Sequence, residues 1–566
     1  MNVLGIHIGH DSGAALVIDG KIIADVSEER FTGIKHYSGL PIQSIEYCLK
    51  AGNIAMTEID IVAVPSKAPF PELNYLLDLK KNKTEKDKGV FRTVEYAFRL
   101  SNKKDITAIP PIYIKQYPLP SKGTLLHVEH HLAHAASAYY TSGARLDDKW
   151  LIVSCDGLGD GYSLCIWQGK GNKITPLIKY DRYGSLGWFY SNVTEGLGWW
   201  HGDGEGKTMG LAPYGDYDKC KGILDKFYPK YENGNLIEKH NFGKVHFWNE
   251  GGAFQWHLEE ALEIYKLIQK CSRENIAAEA QRILEVQMLN IIFPWLAKEN
   301  TANLACAGGV FLNVKLNQRI WESGRVTNHH IFPNAGDSGL AVGSALYAFS
   351  SQYPEISSSK LEHLYLGPDF SNDEIQNTLR VCNLSYKKIN NPSALAAKWL
   401  AEGKILGWFQ GRMESGPRAL GNRSILMSPL KPENKDIINS RVKFREAFRP
   451  FCPSLLYEKR GEYLKNCREE SFMITSFDVT DDKKDKIPAV VHVDNTLRPQ
   501  TVKKDINPIY GDLINNFGNL TGEYVLLNTS FNIKGQPIIN SPHDAIRCFY
   551  GTGLDTLIIG NFILTK

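Results

Sequence analysis

Short apolar runs alternate with polar turns at the start of the chain. The runs VLGIHIG, AALVI and KIIADVS are separated by HDSG and by the pair Asp19–Gly20, and Asp-Gly between two apolar runs is a strong hairpin signal. The order of strand, Asp-containing glycine turn, strand, glycine turn and strand returns in WLIVSCDGLGDGYSLCIWQGKGNKITPLIKY. The pattern therefore predicts a three-strand unit that occurs twice.

Helical periodicity follows these units. Residues 275–297 repeat apolar side chains near the helical period, and NLACAGGVFLN predicts a buried strand that enters a double-glycine turn. Ser, Pro and Gly interrupt the periodicity over 350–371, after which ALAAKWLAEGKILGWFQG predicts helix, turn and strand. We therefore expect two α/β domains, one over 1–355 and one over 365–566.

Length and composition narrow the class of protein. A chain of 566 residues exceeds what one core normally holds, and a net charge of +3 gives no electrostatic case for a nucleic-acid partner. No apolar run reaches the ~18 residues of a membrane span, and polar residues interrupt the N-terminal segment where a signal peptide would be apolar. The charged runs at 80–89 and 481–486 are expected to be solvated loops.

The ten cysteines are scattered and include no CxxC pair. Cys155, Cys165 and Cys306 lie within apolar runs. This distribution favours reduced, buried thiols over a disulfide framework, and so a cytoplasmic protein.

Four histidines lie within eight residues in HVEHHLAHAASAYY. If a helix begins near Glu129, His130 and His134 fall at i and i+4 on one face, where two imidazoles can converge on one cation. His127 and His131 have the same separation, but His127 would belong to the preceding strand, so we favour the first pair. The alternative is that these are hydrogen-bonded histidines of the core or surface.

Two aspartates strengthen the interpretation as a metal site. Asp156 in LIVSCDGLGDG and Asp337 in PNAGDSGLAVG each follow an apolar strand in a glycine-rich turn, where α/β folds present ligands. Two imidazoles and two carboxylates suit Fe, Zn or Mn, and the sequence does not choose among them.

Glycine-rich turns could also approach a nucleotide. HIGHDSGAALV, SCDGLGDGYSL and AGGVFLN place small residues where backbone amides can reach phosphate or a flat ring, in the last case through Gly308, Gly309 and Asn313. Together they favour an actin-like ATPase or sugar-kinase-type domain. The alternative is three hairpins that use glycine for positive φ. GDGEGKTMGLAPYG is one residue short of a Walker A spacing, but its glycines and Lys207 indicate a site loop.

Basic residues cluster on glycine-rich turns of the second region. Such arginines beside apolar strands suggest a pocket for a planar or phosphorylated anion. The alternative is a set of surface salt bridges, which ALGNRSIL and FRPF disfavour because apolar neighbours surround their arginines. The cluster comprises Arg412, Arg418, Arg423, Arg441, Lys443, Arg445, Arg449 and Arg498.

Nine ordered motifs along nearly the whole chain carry a family resemblance. They are HDSGAAL, EERFTGIKH, HHLAHAASAYY, GKTMGLAPYG, AGGVFLN, GRMESGPRALGNRSIL, FRPFCPS, RPQTV and LNTSFN. In these motifs the chain resembles the NodU/CmcH family of O-carbamoyltransferases, including its antibiotic-tailoring members. The resemblance implies an N-terminal domain of the actin-like ATPase type, similar to the threonylcarbamoyl-transferase (TsaD) that modifies tRNA, and a C-terminal YrdC-like α/β domain.

The resemblance also implies a two-step reaction. The C-terminal domain is expected to convert carbamoyl phosphate and ATP, the latter with Mg²⁺, into carbamoyl-adenylate. The N-terminal domain, with iron as its metal, then transfers the carbamoyl group to a hydroxyl of a small-molecule natural product or sugar. Neither a nucleic acid nor a membrane is expected as a partner, and a homodimer is left open.

The family's motifs assign roles to single residues. His130, His134, Asp156 and Asp337 match the metal ligands. His10 is the expected base for the acceptor hydroxyl and is grouped as catalytic with Lys35, Arg418 and Lys443. The residues expected to bind substrate and nucleotide are Lys207, Gly308, Gly309, Asn313, Arg418, Lys443, Arg449, Arg498, Asn528 and Ser530.

Two other functions are open at this point. A fused enzyme of tRNA threonylcarbamoylation would use the same two domain types, although the near-neutral charge does not favour tRNA. A non-catalytic nucleotide-sensing protein of the same fold would be expected to have lost site residues, whereas those named above are present.

Overall fold

The computed structural model describes residues 1–66, 90–91, 112–113, 124–250, 253–356 and 358–566. Three mixed sheets, of five, five and eight strands, organise these residues into an α/β fold. No helix within the described ranges is both long and apolar enough to cross a membrane.

The first two sheets repeat one topology. Their spatial orders are β3-β2-β1-β4-β5 and β8-β7-β6-β9-β10, and in each the first three strands pair antiparallel while the last two pair parallel. The predicted duplication is confirmed, as expected for an actin-like ATPase or sugar-kinase-type fold. The strands are β1 (Asn2–His7), β2 (Gly13–Ile18), β3 (Lys21–Ser27), β4 (Ile61–Val64), β5 (Thr124–His127), β6 (Lys149–Gly159), β7 (Tyr162–Lys170), β8 (Lys173–Asp181), β9 (Asn303–Ala307) and β10 (Asn328–Ile331).

The hairpin between β2 and β3 shows why the three-strand unit could be predicted from the sequence. Asp19 and Gly20 both adopt positive φ, 48° and 79°, as a two-residue hairpin turn demands. Asp tolerates the left-handed region and Gly adopts it without steric cost.

The third sheet belongs to the second half of the chain. Its spatial order is β11-β18-β17-β12-β13-β16-β14-β15. The strands are β11 (Lys387–Lys388), β12 (Leu406–Phe409), β13 (Arg423–Met427), β14 (Cys452–Leu456), β15 (Gln500–Val502), β16 (Val525–Ser530), β17 (Thr556–Ile559) and β18 (Phe562–Thr565). Two-stranded ribbons join Val90–Phe91 to Ile112–Tyr113, Lys230–Glu232 to Asn235–Glu238, Val245–Glu250 to Ala253–Leu258, and Phe477–Asp478 to Thr496–Leu497.

Helices cover the sheets. They are α1 (Glu29–Thr32), α2 (Ile42–Gly52), α3 (His130–Tyr140), α4 (Leu186–Gly196), α5 (Glu205–Leu211), α6 (Ala261–Leu267), α7 (Arg273–Lys298), α8 (Val314–Glu322), α9 (Leu340–Ser350), α10 (Asn372–Val381), α11 (Pro392–Ala401), α12 (Glu433–Ile438), α13 (Arg460–Tyr463), α14 (Pro508–Thr521) and α15 (Pro542–Tyr550). The helix predicted over 275–297 corresponds to α7, and helix α11 followed by strand β12 is as predicted.

Two small-residue helices, α3 and α9, pack against each other between the first two sheets. Helix α9 lies on β1, β2 and β4, while α3 lies on β6 and β9. A Cβ on Gly343 of α9 would lie 1.9 Å from the carbonyl oxygen of Ala133, so the two backbones are in direct contact. The alanines of α3 are buried for this reason, and they bring its histidines close to the turn that precedes α9.

The cysteine prediction is wrong for one pair. Cys220 and Cys271 form a disulfide, with Cα atoms 6.3 Å apart, whereas Cys155, Cys165 and Cys306 are buried thiols outside any disulfide, as expected. Cys220 and Cys271 lie 51 residues apart, and sequence patterns do not show which distant segments meet. The cytoplasmic location stays a prediction.

The charged runs differ from the expectation in one respect. The run at 80–89 lies outside the described residues. In the run at 481–486, Lys483 is buried and donates to Glu523 at 2.8 Å, so this lysine belongs to the core and not to a solvated loop.

The sheets of the two halves lie on either side of the segment where the sequence periodicity breaks. Helix α9 ends at Ser350 and α10 begins at Asn372, with the two five-stranded sheets before this interval and the eight-stranded sheet after it. The division into domains over 1–355 and 365–566, and the YrdC-like character of the second, stay predictions.

Candidate functional site

Local structure places two histidines on one face of α3. The Glu129 side chain caps the helix by accepting from the Leu132 N–H at 2.9 Å, and the His130 N–H donates to Asp160 at 2.9 Å. The helix therefore begins at His130, so His130 and His134 lie one turn apart and their ring centroids are 4.8 Å from each other.

Two turns bring carboxylates to these rings. Asp156, near the end of β6, accepts from the Gly157 N–H at 2.7 Å and from the Gly309 N–H at 3.2 Å. The Gly309 turn can approach because a Cβ on Gly308 would lie 2.2 Å from the Cys155 carbonyl oxygen. Asp337 lies in the turn that leads into α9.

The four predicted metal ligands form one cluster. One ligand atom from each of His130, His134, Asp156 and Asp337 lies within 4.8 Å of all the others. His134 Nε2 is 3.1 Å from Asp156 Oδ2 and 3.5 Å from Asp337 Oδ1, and His130 Nε2 is 3.6 Å from Asp337 Oδ1. Both Nε2 atoms are buried and make no hydrogen bond of acceptable geometry within the part of the chain that the structure describes.

The charges in this cluster fit a cation. Burial alone would lower the pKa of His134, but Asp156 and Asp337 outweigh it and raise that pKa to about 9. The neighbouring His10 and His130 hold the pKa of Asp337 well below its usual range against the effect of burial. Two half-buried carboxylates thus draw positive charge, and two buried imidazole nitrogens face them, which is the donor set of a divalent transition metal.

The other two histidines of the motif have different partners. His131 bonds Ser154 Oγ at 3.2 Å and the Tyr162 carbonyl at 2.8 Å, and His127 Nδ1 is 2.9 Å from the Ser66 carbonyl. Their rings support the backbone of neighbouring strands. The alternative of ordinary hydrogen-bonded histidines therefore describes His127 and His131.

His10 joins the cluster from the first glycine-rich turn. Its Nε2 lies 3.2 Å from Asp337 Oδ2, and its Nδ1 lies 3.1 Å from Asp11, which in turn bonds His36 at 2.7 Å. Burial would lower the pKa of His10, but Asp337 and Asp11 raise it to about 9. His10 thus links Asp337, a predicted metal ligand, to the pair formed by Asp11 and His36.

The predicted nucleotide turn lies beside the cluster. Gly308 and Gly309 support Asp156 as described. The Asn313 side chain accepts from the Leu316 N–H at 3.0 Å and exchanges hydrogen bonds with Gln281, so it caps α8 and is buried. Its contacts are those of a structural cap.

A second group of site residues lies in the other half of the chain. The Nε atom of half-buried Arg418 is buried and has no hydrogen-bond partner among the residues that the structure describes. Burial, together with the charges of Arg498 and Arg449, lowers its pKa to about 9. Arg445 has its pKa lowered to about 9 by burial and by Arg449, and Arg498 donates to the Cys452 sulfur at 2.8 and 2.9 Å. Arginines that lower one another's pKa lie close together, and such a cluster suits an anion.

Lys443 closes one wall of this arginine pocket. Its ammonium donates to Ser530 and Asn532, at 2.6 Å to the Ser530 carbonyl and 2.7 Å to Asn532 Oδ1. Asn528 donates to the Ala419 carbonyl and to Ser454 Oγ, so it supports the loop that carries Arg418. Burial holds the pKa of Lys443 well below its ordinary value.

Three members of the basic cluster lie elsewhere. Arg412 and Arg423 donate to backbone carbonyls, Arg412 at 2.9 Å to Ile23 and Arg423 at 2.7 Å to Gln410, and Arg441 pairs with Asp555 at 3.0 Å. Arg441 thus fits the alternative of a surface salt bridge, whereas Arg412 and Arg423 support the backbone of neighbouring segments.

Two family models match the chain in sequence. The model "Carbamoyltransferase N-terminus" matches residues 2–346 and "Carbamoyltransferase C-terminus" matches residues 397–566. The chain belongs to the carbamoyltransferase family. It is therefore an enzyme of carbamoyl transfer, as predicted.

Relatives resemble this carbamoyltransferase over nearly its whole length. An uncharacterized protein of Synechocystis sp. is 34% identical over 610 residues, covering 98% of this chain and 95% of that protein. The nodulation protein NolNO of Sinorhizobium fredii is 34% identical over 564 residues, with coverages of 98% and 79%. The nodulation protein U of Rhizobium tropici is 25% identical over 600 residues, with coverages of 100% and 96%.

Among solved structures, HypF of T. kodakarensis is 14% identical with a TM-score of 0.32. The match covers 63% of this chain and 49% of HypF. A TM-score this low supports no argument about the carbamoyltransferase.

Several residues of the two sites had no assigned role in the sequence analysis. Asp11 contacts His10, and Asp203 pairs with Lys35, which was predicted as catalytic. Arg445 and Asn532 line the arginine pocket. Arg445 was visible as a member of the basic cluster. No sequence pattern marked Asp11 or Asp203 as a site residue, because an acidic residue in a glycine-rich loop is also common in ordinary turns.

Proposed function

We propose that this carbamoyltransferase is an ATP-dependent O-carbamoyltransferase that uses its two sites in sequence. The observation that carries the proposal is the pairing of a His₂Asp₂ cluster in the first half of the chain with a pocket of mutually repelling, half-buried arginines in the second. The His₂Asp₂ cluster suits a cation, and the arginine pocket suits an anion. A reaction that starts from a phosphorylated carbamoyl donor needs a site of each kind.

In the first step, carbamoyl phosphate and Mg²⁺-bound ATP enter the arginine pocket of the domain over 365–566. One water molecule takes the phosphoryl group of carbamoyl phosphate as inorganic phosphate. The resulting carbamate oxygen then bonds the α-phosphorus of ATP, and pyrophosphate leaves. Arg418, Arg449 and Arg498 bind the anions, and Lys443 with Ser530 and Asn528 holds the wall of the pocket.

In the second step, carbamoyl-adenylate occupies the site over 1–355. The acceptor oxygen bonds the carbamoyl carbon, the bond to the AMP oxygen breaks, and AMP leaves with the electron pair. Bound at His130, His134, Asp156 and Asp337, a divalent cation, which we propose is iron, supplies Lewis acidity toward a phosphate or carbamoyl oxygen.

His10 is proposed to take the acceptor proton. Asp11 on Nδ1 fixes the tautomer that presents Nε2 to the site, as an orienting carboxylate does for a histidine base. The carboxylate of Asp337, which raises the pKa of His10, is also a proposed metal ligand, so a filled site offers His10 less negative charge. Nucleotide contacts are assigned to Lys207 and to the Gly308–Gly309 turn beside Asp156.

We propose a hydroxyl of a small-molecule natural product or sugar as the acceptor. The ribbon formed by Val245–Glu250 and Ala253–Leu258, followed by α6, is the proposed rim of the acceptor site. Its sequence, VHFWNE and AFQWHL, supplies aromatic residues of the kind that stack on sugar faces.

The test is a count of pyrophosphate released from ATP with carbamoyl phosphate and no acceptor. Wild type and His130→Ala are expected to release pyrophosphate and form carbamoyl-adenylate, whereas Arg418→Ala loses both. Arg441→Ala is the matched control, since it removes an arginine that pairs with Asp555 outside the pocket. If carbamoyl phosphate triggers no AMP-forming reaction in wild type, the proposed donor chemistry is wrong.

A further inference from the structure

The loop that leads to Arg418 is docked on the first half of the chain. Its Arg412 donates to the Ile23 carbonyl at 2.9 Å, and its Ser415 hydroxyl donates to the carboxylate of Asp25. Ile23 and Asp25 belong to strand β3. The arginine pocket of the second half is therefore supported by a strand of the first half.

A third contact comes from Arg30 of α1. Its Nη2 donates to the Gly416 carbonyl at 2.8 Å, and its Nη1 lies 3.5 Å from the Glu29 carboxylate. Arg30 is 8% exposed, so its bond to the carbonyl forms away from water, where a hydrogen bond from a charged donor is stronger than a neutral one. Of the three contacts, this one lies nearest in sequence to Arg418.

Gly416 needs an external restraint of this kind. Its φ of 87° lies in the left-handed region, and a Cβ on it would lie 3.3 Å from the Cβ of Asn334. Glycine fits this turn, but it has no side chain that limits its other conformations. Pro417 follows with its own φ fixed by the ring, so the orientation of the Gly416 carbonyl sets the direction in which the chain enters Arg418.

The charges of the pocket work against the position of Arg418. Burial lowers the pKa of Arg418, and the charges of Arg498 and Arg449 add to this effect. Like charges repel one another, so the backbone must hold this side chain among its neighbours until an anion binds. The contacts with the first half supply a restraint on the segment directly before Arg418.

We propose that Arg30 is a positioning residue of the arginine pocket: from the first half of the chain it fixes the Gly416 carbonyl, and so it holds Arg418 where the phosphoryl group of the carbamoyl donor binds. The inference rests on the proposed function, and it adds a residue that itself contacts no substrate. Adenylate formation in the second half then depends on the docking of the first half.

The experiment measures the affinity of the full-length, metal-loaded protein for inorganic phosphate by calorimetry, with phosphate in place of the phosphoryl group of the donor. Arg30→Met keeps the apolar stem of the side chain and removes its donors. This variant is expected to bind phosphate about tenfold more weakly, because Arg418 is no longer held in place. Arg30→Lys keeps a cationic donor and is expected to restore most of the affinity. Arg319→Met, which removes an exposed arginine of α8 that pairs with Glu285, is the matched control and should bind phosphate as wild type does.

A double-mutant cycle with Arg418 separates positioning from a general effect on the fold. In the Arg418→Ala background, where Arg449 and Arg498 remain to bind phosphate, Arg30→Met is expected to cause no further loss of affinity. An equal loss with and without Arg418 would mean that Arg30 supports the pocket as a whole, and the inference would be wrong.

Unchanged phosphate affinity in Arg30→Met overturns the inference as well, and so does a wild type that binds no phosphate. Failure of the proposed function is a separate result, because wild type then binds phosphate but releases no pyrophosphate with carbamoyl phosphate and ATP.

Discussion

The Ser415 hydroxyl donates to the carboxylate of Asp25, and this buried hydrogen bond joins the two halves of the chain across 390 residues. Beside it Arg30 donates to the Gly416 carbonyl at 2.8 Å, and a Cβ on Gly416 would lie 3.3 Å from the Cβ of Asn334. Gly416 is two residues from Arg418, and Asn334 is three residues from Asp337. The loop that carries Arg418 therefore lies against the segment that leads to Asp337.

The Asp25 contact predicts a pH-dependent stability. Burial raises the pKa of Asp25 from 3.8 to about 7. Between these values the native protein keeps a proton that the unfolded chain loses, so Asp25 lowers stability as pH rises through this window and has no further effect above it. Asp25→Asn lacks this dependence. The melting temperature of the variant relative to wild type is therefore expected to be higher at pH 8 than at pH 5.

Thermal unfolding at both pH values checks this prediction, with exposed Asp147→Asn as the control. A difference between Asp25→Asn and wild type that is the same at pH 5 and pH 8 would mean that Asp25 is ionised at both.

Metal content is expected to depend on the His130–His134 pair and not on its neighbours. His134→Ala removes one of four ligands and should lower bound metal, measured by elemental analysis after purification, by tenfold or more, as roughly 10–100-fold losses follow even indirect changes to such sites. His127→Ala removes a histidine of the same motif that bonds only a backbone carbonyl in the structure, and should retain the metal. Equal loss in both variants would contradict the ligand assignment.

The contact between α3 and α9 is expected to tolerate no side chain at Gly343. Gly343→Ala places a methyl group against the Ala133 carbonyl, and overpacking of this kind costs about 1–3 kcal/mol. Because Ala133 lies between the two histidines, metal affinity should fall as well. Denaturant unfolding and a metal titration measure the two effects.

Gly461→Ala is the comparison for this variant, since a Cβ on Gly461 meets no atom within 4 Å. Unchanged stability in Gly343→Ala would show that the two helices are farther apart than described.

Glu414 is expected to position Arg418. One carboxylate oxygen accepts from the N–H groups of Leu420, Asn422 and Arg423, at 2.7, 2.7 and 3.2 Å, and so closes the loop that carries Arg418. Glu414→Ala should raise the KM for carbamoyl phosphate about tenfold or more, because loss of an acceptor for buried donors costs about 1–3 kcal/mol.

Glu414→Gln keeps a carbonyl acceptor and should restore most of the affinity, while exposed Glu402→Ala should have no effect. Pyrophosphate release at varied carbamoyl phosphate gives the KM and kcat separately. A fall in kcat with unchanged KM would indicate a role other than positioning Arg418.

Local patterns were sufficient for much of the fold. The Asp19–Gly20 hairpin, the repeated three-strand unit, α7 and the break after α9 follow from turn chemistry and periodicity, which depend on residues near in sequence. That His130 and His134 share one helix face also depends on a single helix. The prediction required only that this helix begin at the cap residue Glu129.

The tertiary structure decided everything that depends on which distant segments meet. Only packing shows that the Nε of Arg418 is buried without a partner among the described residues while Arg423 bonds carbonyls, although both arginines belong to the same glycine-rich sequence motif. Only packing pairs Lys35 with Asp203, Asp25 with Ser415, and Cys220 with Cys271. The sequence determined which groups could bind metal or anion, but burial and neighbouring charge select among them, and both are properties of the folded chain.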